Sequence, residues 1–136
     1  SVNLHPALPG GPVGLWQKVI WDLIDQRADE TGNMTLVVTN ELDRGPQLAY
    51  DRVSIRGAEF DDLWKRIAGQ SAAMLAEAEG EDNPLFRAIR AEGVKREPVL
   101  LVETLKAIAE GSLNISSPPK VPLDLTGPVE AALRIR

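Results

Sequence analysis

The chain contains no cysteine and a single histidine. The first absence removes disulfides, thiolate metal sites and cysteine nucleophiles together, and leaves the redox compartment open. The second leaves little for a Ser-His-Asp triad or a histidine-rich metal site. His5 lies in HPALPGGP, a segment too rich in proline and glycine to hold a side chain rigidly. Aromatic residues make up only 4% of the chain, too few for a base-stacking platform. Basic charge is also in deficit. With 15 Lys and Arg against 20 Asp and Glu, the net charge of −5 works against a general affinity for nucleic-acid phosphate. No apolar run reaches the length of a bilayer span, and no signal-peptide core follows a basic start. The localisation expected from this is cytoplasmic. Neither GxGxxG nor GxxxxGK[ST] occurs, so the glycines at GGPVG are not a phosphate loop. No catalytic residue, metal ligand or cofactor site is assigned. The chain opens on Ser1 and stops inside the apolar-rich AALRIR, so both ends read as cut from something longer.

What is present reads as one α+β domain. At 136 residues the chain can bury a real core. Residues 1–12 form an irregular leader, 13–111 a single domain, and 112–136 an extended Pro-rich arm, ordered on the domain or on a neighbouring subunit. Within the domain, Leu15, Trp16, Val19, Ile20, Leu23 and Ile24 recur at helical spacing, and Thr31-Gly32 supplies the stop. MTLVVT (34–39) and residues 47–56 then read as a β-hairpin around a turn at 40–46. Phe60, Trp64, Ile67, Ser71, Met74 and Ala78 predict one long single-seam helix from Ala58 to Glu79. A helix opened by GEDNP ends at Gly93. A last one, opened by Pro98, runs to about Glu110 with Leu101, Val102, Leu105, Ile108 and Ala109 inward. Because PVLLVET also has strand propensity, 97–103 stay open between helix and strand. The expected fold is therefore an N-terminal helix, a β-hairpin and three helices packed on it, ending in the arm.

Two places stand out as candidate binding residues. Trp16 falls inside the apolar stripe of the first helix and is read as core. Trp21, five residues on, lies on its shoulder beside Ile24. It is covered by a later element such as the arm, stacks on a ligand, or anchors a partner, a role in which Trp is enriched. The acidic residues Asp22, Asp25, Asp29 and Glu30 are read as a solvated helix face, since no calcium-type loop accompanies them. The one basic concentration is Arg87, Arg90, Lys95 and Arg96, either the polar face of a short helix or a site for an acidic ligand. Three functions are compatible with these features. The first is a non-enzymatic interaction or assembly domain that self-associates through a helix face and the C-terminal arm. The alternatives are nucleic-acid or acidic-ligand binding through 87–96, and a small carboxylate-dependent enzyme, for which nothing in the sequence argues. The expected partner is protein, a second copy included; a membrane is not expected, and nucleic acid is disfavoured.

Overall fold

Two stretches of β-branched and small polar residues set the centre of the fold. The computed structural model describes residues 1–40 and 45–135. Strands β1 (Val2–His5), β2 (Glu30–Val37) and β3 (Gln47–Ser54) run antiparallel to their neighbours. The two-residue β4 (Leu123–Asp124) then pairs parallel to β3, giving a four-stranded mixed sheet in the order β1-β2-β3-β4. Around it lie α1 (Trp16–Asp25), α2 (Asp61–Arg66), α3 (Ala72–Ala78), α4 (Pro84–Ala109) and α5 (Thr126–Ile135). None of the described helices is long and apolar enough to cross a membrane. The β2–β3 hairpin is present, and the turn expected over 40–46 lies mostly outside the described residues.

The expected leader is not irregular throughout. Val2–His5 forms an edge strand on β2, and His5 is buried with Nε2 3.0 Å from the Pro12 carbonyl. Residues Thr31 and Gly32 do not stop α1; they belong to β2. A Cβ on Gly32 would lie 1.9 Å from the Asp51 carbonyl oxygen, so this glycine serves close strand approach. Helix α1 ends earlier, where Arg27 takes a left-handed φ of 53° and its guanidinium bonds the Ile24 and Gln70 carbonyls.

The expected helix 58–79 is two short ones. Gly69, at φ 78°, breaks it, and Ser71 Oγ accepts from Met74 N to start α3. The opposite correction applies downstream, where two expected helices are one of 26 residues. Gly93 stays helical, its carbonyl accepting from Asn33 Nδ2 at 3.2 Å. Pro98 sits inside the helix, at an intrinsic cost of about 3 kcal/mol. That cost is offset by what the continuous helix buries on the sheet, namely Val99, Leu100, Thr104 and Ala107. The phase is then set by Leu85, Phe86 and Ile89, and the expected inward face is rotated. Val102 and Leu105 stand 45% and 49% exposed.

The C-terminal arm is not extended over its last third. After β4 it forms α5, in which Val129 is fully buried. One apolar cluster joins α1, α2 and α3 to the start of α4; a second joins Leu48, Ala49, Val99, Leu100, Leu113, Leu125 and Val129. The phase of α4 makes a direct prediction. In urea denaturation of the dilute, monomeric chain, Leu100→Ala should cost about 2–5 kcal/mol, whereas Val102→Ala should stay within about 0.5 kcal/mol. Equal costs would mean that α4 is rotated from the orientation described.

Candidate interaction surface

The structure disperses the four basic residues that the sequence groups. Arg96 is only 2% exposed. Its Nε lies 2.5 Å from Asp51 Oδ2 on β3, and its Nη2 2.7 Å from Glu130 Oε1 on α5. Glu92, one turn back on α4, adds an oxygen at 3.7 Å from Nη1. Burial raises the Asp51 carboxyl above its ordinary range, opposed by the hydrogen bond and charge of Arg96. Burial pulls the Arg96 guanidinium down, but Asp51 and Glu130 outweigh it and hold Arg96 charged. Lys95 pairs with Glu92 at 2.9 Å. Arg90 lies 3.5 Å from Glu97 and stacks 4.0 Å over the Trp16 ring. Of the four, only Arg87 is exposed with no ion pair to another described residue.

The aromatic candidates are arranged around one residue of α4. Trp21 is half-buried, with its ring 4.9 Å from Phe86. Trp16 is half-buried too, 5.8 Å from the same ring, so it is not the fully enclosed core residue that its stripe predicts. Ile24 is completely buried and cannot touch a partner. The arm does not cover Trp21; α4 does.

What these residues build is a groove of about 320 Å³ between the start of α1 and the first half of α4. Trp16, Phe86, Ala91 and Val94 give it apolar walls, and Arg87, Arg90 and Glu81 rim it. Val13 and Leu15 are exposed in the loop that leads into α1. From the groove an apolar strip continues along the outside of α4. Ala91, Val94, Pro98, Leu101 and Leu105 follow one another at alternating spacings of three and four, the interval at which one helix packs against another. Val102 and Ala109 widen the strip, in which Arg87 and Lys95 are the charged residues and no acid occurs. This spacing was legible in the sequence. It was obscured by the expectation that Gly93 and Pro98 divide the segment.

Among the described residues, no group of three or more His, Asp or Glu side chains is placed to hold a metal ion. No protein-family model matches the chain, and no curated protein is similar to it.

The Arg96 contacts generate a prediction. Arg96→Met strands Asp51 as an unpaired buried carboxylate and should cost about 3–5 kcal/mol at pH 7, while Arg90→Met should cost about 1 kcal/mol or less. The folded-state pKa of Asp51 is raised, so stability linked to it is greatest below the unfolded value and falls as pH rises toward the folded one. The deficit of Arg96→Met should therefore be smaller at pH 4 than at pH 7. Chemical denaturation at the two pH values reads this out, and a deficit that grows on acidification would contradict it.

Proposed function

We propose that this chain is a non-enzymatic assembly domain that pairs with a second copy of itself through the outer face of α4. The observation that carries the reading is the apolar strip from Ala91 to Ala109, left largely exposed among the described residues, which covers the length of most of a long helix and opens at one end into the Trp16–Phe86 groove. An exposed apolar strip with helix-packing periodicity costs solubility unless it is covered, and contiguous patches of this kind mark interaction sites.

Two other features behind the expectation of self-association are used within the chain. The supposed single-seam helix at 58–79 is two short helices that bury Trp64 and Leu75 inside the domain. The C-terminal segment lies on its own sheet through β4 and α5. That leaves α4 as the surface on which the reading rests. The acidic-ligand reading is weakened because Arg90, Lys95 and Arg96 already hold carboxylates. For carboxylate chemistry, the one carboxyl among the described residues pushed above its ordinary range is Asp51, which is fully buried beneath Arg96.

Sedimentation velocity over a concentration series tests the proposal. A dimer is expected at about 100 μM or below. Val102→Glu combined with Leu105→Glu should shift association by at least about tenfold, with an unchanged circular dichroism spectrum, because both side chains are half exposed in the single chain. A monomer throughout the series, or a variant that associates like the parent chain, would overturn it.

A further inference from the structure

Self-association leaves the polarity of the pair open, and the residues of α4 choose it. We infer that the two copies of α4 cross antiparallel at Pro98, so that the groove beside Trp16 in each copy receives the C-terminal end of α4 from the other. This rests on the self-association reading above.

The strip is nearly palindromic about Pro98. Ala91 and Leu105 are equally far from it on either side, as are Val94 and Val102, and Arg87 and Ala109. In a two-fold interface residue i meets j while j meets i. An antiparallel crossing at Pro98 therefore sets Val94 on Val102 and small Ala91 opposite large Leu105. The large side chain thereby meets the accessible apolar walls of the groove, Trp16 and Val94. Pro98 itself is exposed, compact and uncharged, as close approach at the crossing point requires.

Charge selects the same polarity. A parallel, in-register pair would stack Arg87 on Arg87 and Lys95 on Lys95, with no acid inside the strip to separate them. The antiparallel pair removes both clashes. It carries Arg87, which has no ion pair among the described residues, to the last turn of the other α4. There the negative end of the helix dipole and Glu110 supply the missing opposite charge.

The absence of cysteine makes the test clean, since any thiol is one that has been introduced. Ala91→Cys and Leu105→Cys are prepared separately, each is checked for dimer formation by sedimentation, and each is oxidised alone and as an equimolar mixture. The mixture should give several-fold more disulfide-linked dimer than either variant alone, because like positions lie about 20 Å apart along an antiparallel pair. In parallel, Arg87→Glu should weaken dimerisation by about tenfold, and Glu110→Arg in the same chain should restore it. Efficient linkage of Ala91→Cys to itself, or a dimer that links in no combination, overturns the antiparallel crossing while leaving self-association standing. Monomers in every arm overturn both.

Discussion

The ion pair between Arg96 and Asp51 is the constraint on which the rest of the arrangement depends. Arg96 falls along α4 between the part that belongs to the first apolar cluster and the part that belongs to the second. From there it reaches β3 through Asp51 and α5 through Glu130. A buried guanidinium is expensive to desolvate, so its neighbours must arrive in fixed positions. Thr35 and Thr104, hydroxyl to hydroxyl at 3.1 Å, and Asn33 against the Gly93 carbonyl form a polar seam between sheet and helix on either side of it. The helix is held to the sheet through Gly93 and past Pro98, two residues that locally favour ending it.

This seam also explains what could and could not be read from the sequence. Helix α1, the β2–β3 hairpin and the start of α4 at Asn83-Pro84 follow from local pattern and cap chemistry, and each is present, although α1 ends at Asp25, short of the expected stop at Thr31-Gly32. Asn83 accepts from Phe86 N as an N-cap should. The failures are of a different kind. A stripe that reads Leu85, Ile89, Arg96, Leu100, Thr104, Ala107 has polar residues at positions that are buried, so periodicity loses it at Arg96 and a false phase begins at Pro98. The arm misled for the opposite reason. Its prolines exclude a helix only as far as Pro122, while Pro128 sits in the first turn of α5, where a missing N–H costs nothing. Strand β1 carries too little pattern to be seen, because its support comes from residues about thirty positions away.

The candidate surface was half legible. Arg87 and Arg90 read from the sequence as binding candidates and both line the groove, whereas Trp16, which also lines it, reads as core and Trp21 is not among its lining residues. Its floor, however, is Phe86, a residue that reads only as core. The outer strip of α4 was hidden by the same phase error that turned Val102 and Leu105 inward. A correct reading of one buried arginine would have restored both, since fixing the inner face of a helix fixes its outer face as well.

The attachment of α5 has a consequence for cooperativity. A terminal helix commonly frays on its own, at a free energy well below that of global unfolding. Here the Leu125 amide bonds the Tyr50 carbonyl, Val129 closes the second apolar cluster, and Glu130 supplies one of the carboxylates on Arg96. Peeling away the end of the chain would withdraw a counter-charge from the centre of the molecule and admit water to it. Helix α5 is thereby made part of the same unfolding unit as the central strands, and its attachment reports on the integrity of the interior.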